Sequence, residues 1–335
     1  MKASKFMLNE DIHHNTWHAF QQALIQAVIA GGTTAMQFYQ QPMPWPSEEK
    51  QAAVSKNPST LADLQATLSI VHVLDNYISP ICEHLACDFF CLGEETHYRN
   101  WFQNKLPPLI FQKILSSSQF FNQTKGIRVI IDGIDGTGNF IRGIPLFCSA
   151  AALFVDDQVR ISAMYDPIHH VVYSALLPGD RDNICTGAEA WECQITTNQR
   201  IDLVKKADTD EKKSLDQEGI GVHLTRNHPE KVHEFLKQSP NHSRSILEHL
   251  SNISGGIYAF NSGLIAMIDV ARGSLGAYLN NTTHLWDIAA GEVLIRACGG
   301  KVTDFNTHPI SYASQNRISV IAARQHVYDE IINIL

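Results

Sequence analysis

Asp132 and Asp135 close an apolar run, Ile130-Ile131, and stand among Gly133, Gly136 and Gly138, with Thr137 beside them. A buried strand that runs into carboxylates holds hard oxygen donors on a rigid base, and glycine lets the backbone turn back toward an ion. That chemistry is metal binding, although the same residues also make a Gly-Asp surface turn. Three other segments set an acid near the end of a regular element: Asp63, Glu94 and Asp287. Asp63 follows Thr60 as in a variant capping box, and Asp287 precedes a helical run whose N-terminus favours negative charge. Glu95 reads as a solvated or supporting acid. Together these carboxylates could converge on magnesium, which keeps waters and takes phosphate oxygens to complete its octahedron.

Two familiar acidic loops do not fit. An EF-hand beginning at Asp132 wants oxygen side chains at positions 134 and 136 and a Glu at 143, where the chain has Ile134, Gly136 and Gly143. The Asp-x-Asp-Gly-Thr sequence of aspartyl-phosphate phosphatases fails at Gly133, which stands where the first acid, the nucleophile, would be.

The elements that must position these acids follow from periodicity. Trp17, Phe20, Leu24, Ile25, Val28 and Ile29 recur as on an amphipathic helix, with Gly31-Gly32 a break or a close-packing point. Pro42, Pro44, Pro46 and Pro58 predict a loop, and a second helix from Thr60 is expected to stop before Pro80. Phe89 to Leu92 reads as a strand ending at Gly93-Glu94. Strands are expected at Cys148 to Val155, Val159 to Tyr165 and Val171 to Leu177, forming an antiparallel sheet. Residues 97–125 read as an insertion with one helix, and 203–216 as a solvated loop. Later come helices at Pro229 to Gln238, Ser245 to Leu250 and Ser262 to Ala271, then a strand at Leu275 to Leu279. A loop at Asn280 to His284 leads to a helix from Ile288 to Cys298, and a strand at Ile318 to Ala322 precedes an end helix. A subdomain boundary near residue 205 would divide the chain into an α+β part, 1–205, carrying most of the acids, and an α/β part, 206–335, completing the site.

The 335 residues allow a large core, and the longest apolar stretches are too short to span a bilayer. A formal charge of −8 without a long basic run argues against nucleic acid as a partner and leaves an anionic substrate in need of a local cation. Seven cysteines without a CxxC pair, and no apolar leader after Met1, fit a cytoplasmic protein with reduced thiols. His169, His170 and His284 read as structural or exposed, because the acids propose an oxygen-ligand site.

These residues resemble the inositol monophosphatase family of magnesium-dependent phosphatases. Asp132-Gly133-Ile134-Asp135-Gly136-Thr137-Gly138-Asn139-Phe140 is similar to its Asp-Pro-Ile-Asp-Gly-Thr-x-Asn-Phe signature, and Trp286-Asp287-Ile288-Ala289-Ala290-Gly291 through Gly299-Gly300 to its second. Gly93-Glu94-Glu95-Thr96, Thr60-Leu61-Ala62-Asp63 and Tyr165-Asp166-Pro167 are similar to further family motifs, in the same order, from about residue 15 onward. The resemblance implies a layered α-β-α-β-α sandwich and hydrolysis of a small phosphate monoester, such as an inositol monophosphate or a related sugar phosphate, by a metal-activated water. It implies two or three Mg2+ held by Glu94, Asp132, Asp135, Asp287 and the Ile134 carbonyl, with Asp63 near a weaker site. Glu94, Thr137 and Asp63 would serve catalysis, Gly136, Thr137, Asn280 and Ser262 would meet substrate, and the chain would form a homodimer. A 3'(2'),5'-bisphosphate nucleotidase, a fructose-1,6-bisphosphatase and a catalytically idle phospholigand-binding member are the alternatives.

The chain departs from the family pattern in places. Gly133 replaces a proline, which predicts a looser loop and weaker metal binding. Asn280 replaces a glutamate that accepts hydrogen bonds from polyol hydroxyls, and an amide both donates and accepts. Asn261-Ser262-Gly263 stands where the family has Gly-Ser/Thr-Ala, so the substrate is open.

Overall fold

The computed structural model describes residues 13–40, 61–95, 103, 105–123, 126–178, 187–209, 213–223, 246–312 and 317–333. The chain begins with two long helices, α1 (His14–Met36) and α2 (Leu61–His84), which pack together through apolar stripes at helical spacing. Trp17, Phe20, Leu24 and Val28 of α1 and Leu64, Ile70, Val71 and Leu74 of α2 are buried there. Truncating Leu24 to alanine in such a core costs roughly 2–5 kcal/mol. Gly31 and Gly32 do not break α1. A Cβ on Gly31 would lie 2.7 Å from the Ile70 side chain, and one on Gly32 would lie 2.6 Å from Tyr165. Pro80 does not end α2 either: it sits inside the helix on an exposed face, one turn after the exposed Asn76, where water can take the carbonyl that proline leaves unbonded.

A seven-stranded sheet follows in chain order: β1 (Phe89–Gly93), β2 (Ile127–Asp135), β3 (Cys148–Val155), β4 (Gln158–Asp166), β5 (Val171–Leu176), β6 (Glu189–Gln194) and β7 (Gln199–Asp202). Only β1 and β2 are parallel, so the sheet is largely antiparallel. The described residues between β1 and β2 include two short helices, α3 (Pro108–Lys113) and α4 (Ser117–Asn122), the latter opened by a capping box from Ser116 and Gln119. All nine residues of β2 are buried, because both sheet faces are covered. Val129 and Ile131 meet α1 and α2, while Ile130 faces the opposite layer.

After the short α5 (Thr137–Ile141) and α6 (Leu203–Thr209), β8 (Gly219–His223) enters a second sheet. The loop expected at 203–216 is thus partly helical, with Leu203 buried as its anchor. This sheet runs β11-β12-β10-β8-β9, using β9 (Gly256–Tyr258), β10 (Ala277–Thr283), β11 (Lys301–Thr303) and β12 (Ile318–Ala323). Helices α8 (Gly263–Arg272) and α9 (Ala289–Ala297) fill the layer between the sheets. Helices α7 (Ile246–Ile253) and α10 (Gln325–Ile332) join the outermost layer. The result is the α-β-α-β-α sandwich. Asn280 to Thr283 form strand rather than loop, since β10 pairs with β8 on one side and β12 on the other. The loop predicted around Pro42 to Pro58, the Thr60 cap, Thr96 and the helix predicted at Pro229 to Gln238 fall outside the described residues. No helix among the described residues is long and apolar enough to cross a membrane.

Candidate active site

The parallel pairing of β1 with β2 sets Gly93 level with Ile131, and the two chains then run on into Glu94 and Asp132. Asp287 reaches the same point from the turn between β10 and α9. Ligand oxygens of Glu94, Asp132 and Asp287 all lie within 4.8 Å of one another. Two of these acids are held from behind. Oδ1 of Asp132 accepts from the Ile134 N–H at 3.1 Å, and Oδ2 of Asp287 accepts from Thr283 Oγ1 at 2.7 Å and His284 N–H at 3.0 Å. Asp135 is fixed by Ser262, whose hydroxyl donates to Oδ2, and by the Leu264 N–H at 2.9 Å. Ser262 caps α8 at the same time. It therefore stands behind Asp135, buried, and not on the cavity wall.

Asp63 and Thr137 form the other flank. Asp63 is buried in the first turn of α2, and the Thr137 hydroxyl lies 3.0 Å from its Oδ2 and 2.9 Å from the Ile134 carbonyl. Gly136, at φ 90°, gives the left-handed turn from β2 into α5 that brings Thr137 round. Gly133 does not loosen this segment. It lies within β2, and a Cβ there would come within 2.7 Å of Thr67 Oγ1 and 2.9 Å of the Asp63 carbonyl, so its lack of a side chain lets α2 approach the strand.

Crowding dominates the electrostatics. Burial first, then the charges of Glu94, Asp135, Asp287 and Asp63, push the Asp132 carboxyl well above the usual range. Burial and Asp287 push Asp135 up to about 7, against the hydrogen bonds from Ser262, Leu264 and Gly263. Burial, with Glu95 and Glu94, also raises Asp63, opposed by Thr137 and Ile134. So many acids in one place are ionised together only beside a cation. Oδ2 of Asp132, buried with no hydrogen-bond partner among the described residues, is a ligand atom of that kind. The all-oxygen donor set fits a hard divalent ion such as magnesium, which uses few protein ligands and keeps waters.

The acids open into a cavity of about 300 Å³ whose lining also includes Ile134, Gly136, Thr137 and Asn280. Asn280 is turned inward on its own strand: Oδ1 accepts from the Thr282 N–H at 3.0 Å and Nδ2 donates to Tyr278 Oη at 3.1 Å. Sequence reasoning did not single out Arg142, Arg317, His223 and Tyr278 on this lining, and it set His284 aside. Arg142 could have been noticed as a cation one turn beyond Thr137; the others come from distant segments without a local pattern. His284 stacks on Trp286 at 4.6 Å, and burial lowers its affinity for a proton although Asp287 opposes this.

The profile of the inositol monophosphatase family matches residues 17–335. Among curated relatives, Nus factor SuhB of Pasteurella multocida is 26% identical over 207 residues, covering 62% of this chain and 66% of that protein. The inositol-1-monophosphatase of Mesorhizobium japonicum is 30% identical over 180 residues, 53% of this chain and 57% of that one. The aligned stretch thus spans less than two thirds of these relatives' length. A solved structure of the extragenic suppressor protein suhB from Bartonella henselae superposes with a TM-score of 0.65 at 19% identity, over 94% of this chain and 98% of that chain. The Thermotoga maritima IMPase superposes at 0.63 and 18% identity, over 92% and 94%. With the fold shared along nearly the whole chain and the family profile matched from Trp17 onward, the chain belongs to the inositol monophosphatase family.

Proposed function

We propose that the protein is a magnesium-dependent phosphatase that hydrolyses a small phosphate monoester by direct attack of water. The observation that carries this is the convergence of Glu94, Asp132 and Asp287 within 4.8 Å at the floor of an open cavity. Those three, with Asp135 and the Ile134 carbonyl, would hold the metal, which supplies positive charge for the phosphate oxygens and acidifies bound water. Glu94, partly exposed at the end of β1, is placed to accept a hydrogen bond from the attacking water. Thr137 can accept from the same water while its own hydroxyl donates to Asp63. Buried Asp63 has the raised proton affinity that a terminal base requires. Arg142 and Arg317 give the acidic pocket a cationic rim toward which a phosphate is drawn.

The remaining wall bears on the choice of substrate. Asn280 offers an amide already engaged at both ends, so it presents a fixed polar surface and not a free acceptor for vicinal hydroxyls. Two arginines also suit an ester with a second phosphate, and a relative from Thermotoga maritima, 23% identical, is named fructose-1,6-bisphosphatase/inositol-1-monophosphatase. The change of sheet between Asp202 and Gly219 favours a subdomain division near residue 205. Free thiols at Cys82, Cys87, Cys91, Cys148, Cys193 and Cys298 favour a reducing compartment such as the cytoplasm. Phosphate release from inositol, sugar, histidinol and nucleotide mono- and bisphosphates tests the reading. A bisphosphate as best substrate selects the second branch, and no turnover on any of them would leave only an idle, ligand-binding member.

A further inference from the structure

A second set of metal-type ligands lies on the outer face of the first sheet and shares no residue with the cavity. His14 and His18 stand one turn apart on α1, and their Nε2 atoms are 3.2 Å from each other. Glu189, the first residue of β6, brings Oε1 to 3.5 Å from His18 Nε2. The three ligand atoms fall within 4.8 Å of one another. Zinc bound at about 2.0–2.1 Å in a tetrahedron separates its donor atoms by roughly 3.3–3.4 Å. The two shorter contacts lie on either side of that value.

The surroundings also fix which nitrogen of His18 is free to ligate. Ser174 donates its hydroxyl hydrogen to the Ser162 carbonyl at 2.8 Å, so its oxygen accepts from Gln21 Nε2 at 3.1 Å. That orients the buried Gln21 amide with Oε1 toward His18 Nδ1, 3.3 Å away. Nδ1 therefore carries a hydrogen, and Nε2 of His18 is the nitrogen left to face both His14 and a carboxylate. The lone pairs of His18 Nε2 and Glu189 Oε1 repel at 3.5 Å unless a cation or a proton lies between them, and His14 Nε2, 3.2 Å away, either donates a hydrogen to His18 Nε2 or turns its own lone pair to the same cation. The chain Ser174-Gln21-His18 has the form of the outer hydrogen bonds that lock a metal-binding imidazole in one tautomer. Arg200 approaches the other oxygen of Glu189, Oε2, at 3.9 Å and leaves Oε1 to the histidines.

We propose that His14, His18 and Glu189 bind a divalent transition metal of the zinc class, clamping the start of α1 to the start of β6. Two imidazoles and one carboxylate suit zinc, cobalt or nickel far better than magnesium, so the site is chemically distinct from the carboxylate cluster. The inference is independent of the proposed hydrolase activity. A proton could bridge the two histidines instead, in which case zinc uptake must displace it.

The test uses purified full-length protein and zinc chloride in excess magnesium, which occupies the carboxylate cluster. Equilibrium dialysis should find one more zinc per chain in the parent than in His18→Ala. X-ray absorption at the zinc edge should show imidazole ligands in the parent, and zinc should raise its Tm but not that of the variant. His14→Ala, altering an exposed residue, and Glu189→Gln should each weaken zinc binding at least tenfold, and they serve if His18→Ala misfolds. His308→Ala, an exposed histidine elsewhere, should change nothing. Equal zinc uptake by the parent, His14→Ala and Glu189→Gln, or no zinc bound by the parent, would overturn the proposal.

Discussion

Thr137 Oγ1 lies 3.0 Å from Asp63 Oδ2, a bond that joins the loop after β2 to the first turn of a helix 74 positions away. The same hydroxyl is 2.9 Å from the Ile134 carbonyl, so one hydrogen has two possible acceptors and the oxygen keeps a lone pair for a water.

If this pair handles the water's proton, then Thr137→Val and Asp63→Asn should each lower kcat by about 10²- to 10⁴-fold with little change in KM. Thr137→Ser, which keeps the hydroxyl, should retain most of the rate. Steady-state kinetics in saturating magnesium decides. Full activity in Thr137→Val would remove the residue from the mechanism.

The crowded acids predict an unusual pH response of the metal-free protein. Asp135 is raised in the fold from 3.8 to about 7, so its contribution to stability is fully present below pH 4 and is lost as pH rises toward 7. Asp132, also raised, acts in the same sense. The Tm in chelator should therefore fall between pH 5 and pH 8, and magnesium should restore it at the upper end. Thermal melts with and without chelator test this. A metal-free Tm that rises over that range would count against the crowding.

Asp132→Asn separates stability from function. Replacing a buried acid that its neighbours disfavour ionising by a neutral amide should raise the Tm of the metal-free protein near neutral pH, while magnesium affinity and turnover fall. Calorimetric titration beside a thermal melt gives both quantities. A variant less stable without metal would mean that Asp132 has an ion-independent structural role.

Gly133 should tolerate no side chain. Gly133→Ala puts a Cβ 2.7 Å from Thr67 Oγ1 and 2.9 Å from the Asp63 carbonyl, which should cost roughly 1–3 kcal/mol and shift Asp63. Adding Thr67→Ala should recover part of the loss. Denaturant unfolding of the single and double variants measures it, and an unchanged midpoint in Gly133→Ala would refute the close approach.

What could be read from the sequence divides along physical lines. Strand β2 was legible because both its faces are buried and the apolar run Val129 to Ile131 leads into its acids, and the glycine turn after it because Gly136 needs a positive φ. Strands β6 and β7 went unread: β7 is exposed at all four positions, so no burial pattern marks it. The acids were visible as residue types at element ends, but their support was not. Ser262 behind Asp135 and Thr67 against Gly133 are contacts between distant segments, which no local period records. Pro80 misled because its helix-breaking tendency is offset on an exposed face of a helix anchored by Ile78 and Cys82.

The central claim is that the Glu94, Asp132 and Asp287 cluster carries out metal-dependent phosphate ester hydrolysis. Its most direct measurement is inorganic phosphate release from a panel of small phosphate esters, with magnesium and with chelator, by the parent protein and Asp132→Asn. The account predicts turnover of at least one ester with magnesium, none with chelator, and at least a hundredfold loss in the variant. Turnover that survives chelation or the substitution, or none on any ester with magnesium, would contradict it.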